Sequence, residues 1–377
     1  MRLQALDSWR GAAALLVVAF HAPVLHSVFY ASWFRNMAPL LDLFFMLSGF
    51  VMALGFSDKL KSASDFWAYL IRRAGRAWPL HLAMLALLLP APILSMFTSG
   101  GDPFWGWRSL DGLWRHVLLI QTWTPELALS WNFPAWTLCA ELFAYLLMGL
   151  IALMSLGPRM KLALIGLAIT ISFCFFWNAM QNSPEYNVIS ISRGVFGFFM
   201  GMALYEFWRR WPLRGAIAAS ALELLATAGF VAVVIVHPSG AAYFSIYIAY
   251  ALLIYVFAHD RGVVSRVIIN KPLAWLGMVS FSMYVFHGVA VRWITITADF
   301  LQKRLDFQLL GAGRMIDLPE VWMNNLLALT YIAFVLLCTP VIYKFIEDPS
   351  RRYFVDLSRK FLNRTAQPTP ARAQPSA

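Results

Sequence analysis

Residues 38–56 read APLLDLFFMLSGFVMALGF, nineteen residues in which Asp42 is the one ionisable group. A helix needs about 20 predominantly apolar residues to cross the hydrocarbon of a bilayer, so this stretch has the length and character of a membrane span. Outward from it, comparable runs predict helices at 11–31, 79–97, 134–155, 162–178, 188–208, 216–236, 243–258, 273–297 and 322–346, which makes ten with the first. The composition agrees: of 377 residues, 60% are hydrophobic and 13% charged, whereas soluble domains average about 45–50% apolar and about 25% charged. A soluble fold of this length has nowhere to hide so much apolar surface, and lipid must cover part of it. The expected fold is all-α, one polytopic integral membrane bundle over residues 1–350. A basic, Pro-rich tail at 351–377, expected to be disordered, follows it.

The net charge of +11 suggests a nucleic-acid partner, but the Lys and Arg residues punctuate apolar runs and form no basic face, which argues against one. Ten spans place both termini on one side, and most basic residues of the loops and tails fall on that side. The other side carries only Arg35, Arg108, Arg115, Lys303, Arg304 and Arg314. This bias predicts cytoplasmic termini and residence in the cytoplasmic (inner) membrane. The run from Gly11 past Phe20 shows no small-residue cleavage site and is expected to be a retained span. The longest loop, 98–133, is rich in Trp, and its part from Leu110 to Trp123 is expected to lie flat on the membrane.

Ionisable groups inside spans are costly and mark functional positions by default. Arg10 and His21 are eleven residues apart, which puts them within about 20° on one helix stripe and about 16 Å apart in height. A cation at the membrane surface suits phosphates, and a buried imidazole suits a group reaching inward. Asp42 enters its span from the outer side, where it would orient an imidazole or pair with an Arg, while Ser48 and Gly49 form a small patch for close helix approach. Arg72, Arg73 and Arg76 put three guanidinium groups in five residues at a helix start, suited to clamping phosphates or to marking the cytoplasmic side. Glu141, just after Trp136, lies about two turns into an apolar helix and needs a partner or a proton. Ser280, Tyr284 and His287 form a polar stripe at helical spacing. Arg193 and Arg292 are further cations awaiting partners, Glu223 and His26 look isolated, and His81, His116, His237 and His259 read as interfacial. Cys139, Cys174 and Cys338 are scattered through apolar segments and form neither a metal pair nor a disulfide framework. No HExxH, P-loop or Gly-x-Ser-x-Gly pattern is present, so no metal site is expected.

In order, these segments resemble the acyltransferase-3 family of integral membrane O-acyltransferases, from Leu6 to about Tyr353. The resemblance is carried by Leu6-Asp-Ser-Trp-Arg10-Gly with His21, by Asp42 through Phe50, by Arg73 and Arg76, and by Trp136-Thr-Leu with Glu141. Ser280-Phe-Ser-Met-Tyr284-Val-Phe-His287 and Phe345-Ile-Glu347-Asp-Pro349 complete it. Trp9 stands where the family usually has Leu or Ile, and the fused hydrolase-like domain of some members is absent. The resemblance implies transfer of an acetyl or other short acyl group from cytoplasmic acyl-CoA to a carbohydrate hydroxyl. The acceptor would be a surface polysaccharide, a lipid-linked sugar or a glycosylated metabolite, and no cofactor would be held permanently. On it, Arg10, Arg73 and Arg76, with Arg72 as alternate, hold the CoA phosphates. His21 serves as general base or transient acyl carrier, and Glu141 and Asp42 orient it or the sugar. A proton-coupled transporter or flippase for a glycan or lipid precursor is the rival reading, since intramembrane Arg, His and Glu also build proton relays. A scaffold subunit of an export complex is the third.

Overall fold

The structure, a computed structural model, describes residues 3–56, 59–99, 102–154, 156–182, 190–236, 238–305 and 307–366. Among these it is helical, with two isolated bridges, Val24 to Ile316 and Leu310 to Ile316. Helix α1 (Gln4–Phe20) leads through short α2 (Ser32–Arg35) to α3 (Leu40–Phe56). Helix α4 (Ala63–Leu88) starts on a capping box, with the Ser62 hydroxyl accepting from the Asp65 amide and the Asp65 carboxylate from the Ser62 amide. Then come α5 (Pro90–Ser99), α6 (Leu110–Leu118), α7 (Trp136–Leu153), α8 (Pro158–Asn182), α9 (Ile191–Arg210), α10 (Ala216–Val236), α11 (Ser245–Phe257) and α12 (Val263–Ile268). Helices α13 (Lys271–Leu305), α14 (Val321–Ile342) and, after a π turn at Tyr343–Glu347, α15 (Asp348–Ala366) complete the chain.

Among the described residues, eight segments are long and apolar enough to cross a membrane: Ser32–Phe56, Ala63–Leu94, Phe133–Leu153, Pro158–Asn182, Ala216–Val236, Gly240–Phe257, Lys271–Leu305 and Val321–Asn363. The two expected spans missing from this set, 11–31 and 188–208, correspond to α1 and α9. Both are helices, α1 with 17 residues, and each buries a polar side chain within the protein, Ser8 in α1 and Arg193 in α9. Helix α1 lies along α13, where Gly11 backs onto the Gly277 amide and Gly277 onto the Asp7 carbonyl. Helix α9 lies along α3, with Gly49 against the Phe198 carbonyl and Gly201 against the Met46 carbonyl. A Cβ at any of the four would overlap backbone, and small residues are what let helices approach this closely.

Three boundaries differ from the sequence expectation. Helix α1 ends at Phe20 with His21 as its C-cap, because Pro23 follows and disfavours helix in the residue before it. His21 therefore sits at a helix end instead of in mid-helix. The helix expected from Leu110 to Trp123 is confined to Leu110–Leu118, ended by Leu119 in the left-handed region. The chain does not leave the bundle at Arg351. Helix α15 runs on to Ala366 against α4, with the Phe354 ring lying over Gly75. The expected disorder of the tail is overturned up to Ala366, and residues 367–377 lie outside those described, as does His237.

Candidate active site

Three cavities follow one another along the bundle, and α13 passes all of them in sequence order. Its Met278 faces a basic mouth of about 820 Å³. Ser280, Phe281 and Tyr284 face a chamber of about 290 Å³. From Val291 to Lys303 it lines a cavity of about 450 Å³ beneath the long loop. Mouth and chamber share Asp7, Arg10 and Arg76 in their linings, so they open into each other.

Arg10 stands at that junction. Its Nη2 donates to the Gly277 carbonyl at 2.9 Å and lies 3.0 Å from Asp7, and its Nε donates to the Ser280 hydroxyl at 3.2 Å. Arg72, Arg73 and Arg76 come from successive turns of α4 and face the same mouth. Arg73 reaches deepest, with its guanidinium 5.9 Å from the Tyr145 ring and its buried Nε unpartnered. Arg351, Arg352 and Arg359 of α15 complete the wall. Sequence reading missed these three because the region was taken for a tail. The signal was present, since Arg352 and Arg359 are seven residues apart and so share a helix face. Glu347, in the π turn, accepts the Ser282 hydroxyl at 2.5 Å and the Ser282 amide at 3.1 Å, tying α15 to α13.

The chamber is mostly apolar, walled by Leu41, Phe44, Leu47, Val51 and Leu54. Beyond Asp7 at the junction with the mouth, one carboxylate breaks that surface. Glu141 Oε1 accepts hydroxyl bonds from Ser48 and, at 2.5 Å, from Tyr145. At the far end Thr137 donates to the Tyr284 hydroxyl at 2.9 Å, and Tyr284 donates to the Pro134 carbonyl at 3.1 Å.

A partition of three rings in series, Tyr284, His287 and His21, separates the chamber from the loop-side cavity. Tyr284 lines the chamber, and its ring centroid is 5.4 Å from that of His287. His287 is 5.0 Å from His21, and His21 lines the loop-side cavity with Phe133 at 5.1 Å. The His21 Nδ1 donates to the Val17 carbonyl at 2.9 Å. In the neutral ring this leaves Nε2 as the lone-pair nitrogen, which is what a general base needs. His287 is fully buried and neither ring nitrogen makes a well-formed hydrogen bond.

Other expected site residues prove structural. Asp42 does not reach His21. Its carboxylate is fully buried and takes Arg193 Nε at 2.7 Å, Arg193 Nη2 at 2.9 Å, Tyr243 at 2.6 Å and Tyr247 at 2.7 Å. With four donors its capacity is filled, and of the two partners the sequence left open, an imidazole or an Arg, it takes the Arg, in an ion pair joining α3, α9 and α11. Trp136 is buried beside that pair, its ring 5.9 Å from the Arg193 guanidinium. Glu141 likewise faces the chamber partners instead of His21. Arg292 donates to the Leu129 and Trp131 carbonyls at 2.7 and 3.1 Å. Glu223 is not isolated, since it accepts the Gly262 and Ser265 amides at the start of α12. His81 and His116 are not interfacial either, for both are fully buried and stacked at 5.8 Å. Burial pushes the His116 imidazole down to about 3, with neighbouring His81 and Arg292 acting in the same direction. Among the described residues no cluster of His, Cys, Asp or Glu could hold a metal.

Residues 3–344 match a protein-family model described as an acyltransferase domain, Acyl_transf_3. The protein named Acyltransferase MdmB of Streptomyces mycarofaciens is 35% identical over 159 residues, 39% of this chain and 38% of that protein. The membrane-bound transacylase BcsY of Komagataeibacter xylinus is 24% identical over 347 residues, 87% of this chain and 81% of that protein. The chain thus spans well under half of the first relative and most of the second. No solved structure matches.

Proposed function

The chain belongs to the acyltransferase-3 family of acyl-transferring enzymes, and from that premise we propose that it moves a short acyl group from acyl-CoA to a carbohydrate hydroxyl across the partition at His21. The observation that carries this reading is the pair of cavities meeting from opposite ends at the rings of Tyr284, His287 and His21. The donor enters by the basic mouth, where arginines of α1, α4 and α15 hold its phosphates. Its pantetheine arm lies along the apolar chamber, and the Glu141 carboxylate accepts an amide N–H of the arm. The thioester then rests against Tyr284, and acetyl suits so narrow a place.

The acceptor enters by the loop-side cavity. For donor and acceptor to meet, the rings of Tyr284 and His287 must move aside; His21 Nε2 then takes the proton of the acceptor hydroxyl while the hydroxyl oxygen attacks the thioester carbonyl. The new O–C bond forms, the C–S bond breaks, and the CoA thiolate recovers the proton. Bringing donor and acceptor together at the His21 imidazole supplies the proximity that such a transfer needs. Ten helices cross the bilayer in this reading, α1 and α9 included. The basic mouth and both termini face the cytoplasm, as the distribution of Lys and Arg favours.

Labelled acetyl-CoA presented to membrane vesicles, with the parent compared with His21→Ala at matched expression, tests the reading. Label entering a carbohydrate fraction in the parent alone supports it. Equal label in both moves the chemistry away from His21, and movement of an unmodified glycan in place of labelling would favour transport.

A further inference from the structure

The side of the chain that sequence assigns to the exterior is poor in cations, yet it gathers them into one place. Of its six basic residues, Arg35, Arg108, Lys303 and Arg314 line the loop-side cavity, and Arg292 joins them. Asp299 is the one carboxylate in that lining, and it already pairs with Lys303 at 3.0 Å and Arg314 at 3.3 Å. Topology does not explain the cluster, because cations that set orientation collect on the cytoplasmic side.

The cations are also held by construction. Arg292 is fixed by two backbone carbonyls and lies 4.4 Å over the Trp107 ring. Arg35 donates to the Phe20 carbonyl at 3.1 Å and sits 4.4 Å over the Phe20 ring, next in sequence to His21. Arg108 has a buried Nε with no partner. Burial and the charge of Arg314 work against its protonated form, and the more weakly felt Asp102 and Asp299 work for it. Neither Arg35 nor Arg108 has an acidic side chain within 4 Å among the described residues. Guanidinium groups gathered in a partly desolvated cavity repel one another unless an anion joins them.

We infer that the loop-side cavity selects an acceptor bearing an anionic group, a carboxylate or a phosphate, close to the hydroxyl that is acylated. The inference rests on the reading that His21 faces the acceptor. Arg35, Arg108 and Arg314 hold the anion, and the exposed Trp105 and the Trp107 ring form the rim against which a sugar packs. The anion arises from an acidic sugar or from the phosphate of a lipid-linked one, and both present the same chemistry to the arginines.

The test uses the full-length protein in nanodiscs, with binding measured for p-nitrophenyl glucuronide, farnesyl-diphosphate-linked glucose and neutral p-nitrophenyl glucoside. At least one charged probe should bind about tenfold tighter than the neutral one, as expected for a charge-assisted pair. The gain should vanish in Arg108→Gln/Arg314→Gln and persist in Arg352→Gln/Arg359→Gln. Preference for the glucuronide identifies an acidic sugar, and preference for the diphosphate identifies a lipid-linked one. Equal affinity for charged and neutral probes overturns the inference. So does a charged-probe preference lost only in the Arg352/Arg359 variant, which would place the anion in the donor mouth. Acetyl-CoA binding is measured alongside, and its retention in Arg108→Gln/Arg314→Gln shows that the variant is folded. Failure of the parent to bind acetyl-CoA would count against the transferase reading while leaving the anion preference standing.

Discussion

Two buried polar clusters cross the same bundle and differ in one respect. Around Asp42 every acceptor position is filled, by Arg193, Tyr243 and Tyr247, and none of the three cavities described above is lined by it. Around His21 bonds are left unmade. His21 lines a cavity, and both nitrogens of His287 lack a well-formed partner. A satisfied buried cluster fixes one arrangement of helices. An unsatisfied one beside a cavity keeps its capacity for a substrate. The distinction separates scaffold from chemistry where residue type alone does not, since both clusters are built from groups that are costly in a membrane.

The comparison breaks first at His21. His21→Ala should lower acyl transfer by about 10²–10⁴-fold, the usual worth of a positioned acid–base group. Its melting temperature in detergent should stay close to that of the parent. A large loss of stability would place His21 with the scaffold. Arg193→Met should do the reverse, destabilising the fold by about 3–5 kcal/mol because it strands a buried carboxylate. Whatever fraction remains folded should have near-normal turnover per molecule, measured by active-site-normalised kinetics. A pure turnover defect in a fully stable Arg193→Met protein would merge the two clusters.

Smaller effects sharpen the contrast. Arg352→Gln/Arg359→Gln should raise KM for acyl-CoA about tenfold with kcat little changed, as removal of ground-state phosphate contacts does. An unchanged KM would detach α15 from the donor. His81 and His116 probe the rule from another direction, being buried with unmade bonds but lining none of the three cavities. Because burial holds His116 near 3 when folded, the unfolded chain binds the extra proton below its own value of about 6.5. Stability should therefore fall as pH drops from about 6.5 toward 5, by roughly 1 kcal/mol per unit. His116→Gln should flatten that slope in thermal melts, and an unaltered slope would assign the pH dependence to other groups.

Much of this was legible in the sequence, and the reasons for the gaps are physical. The apolar runs announced the helices, and the spacing of Arg10 and His21 announced a path from mouth to partition. Asp42 and Arg193 were each visible as costly charges. Their partnership was not, because it joins positions 151 residues apart. A hint lay in Tyr243 and Tyr247, four apart and so on one helix face. Pro23 could have ended α1 early, as it does, but the apolar run on either side hid the break. Composition misread α15 because its charges face a cavity, and a polar helix that pairs its charges or lines water has the composition of a tail.

Helix α13 carries a consequence for the product. It runs unbroken over Lys271–Leu305, with Tyr284 at the chamber and Arg292 at the loop-side cavity. Eight residues of helix between them amount to about 12 Å. A rigid helix makes that span a gauge. With the donor thioester set at one mark and the acceptor's cavity at the other, the gauge determines which hydroxyl around a sugar ring comes within reach. Regiochemistry would then be written in helix length, and one residue inserted between positions 284 and 292 would redirect acylation to a different hydroxyl on the same sugar.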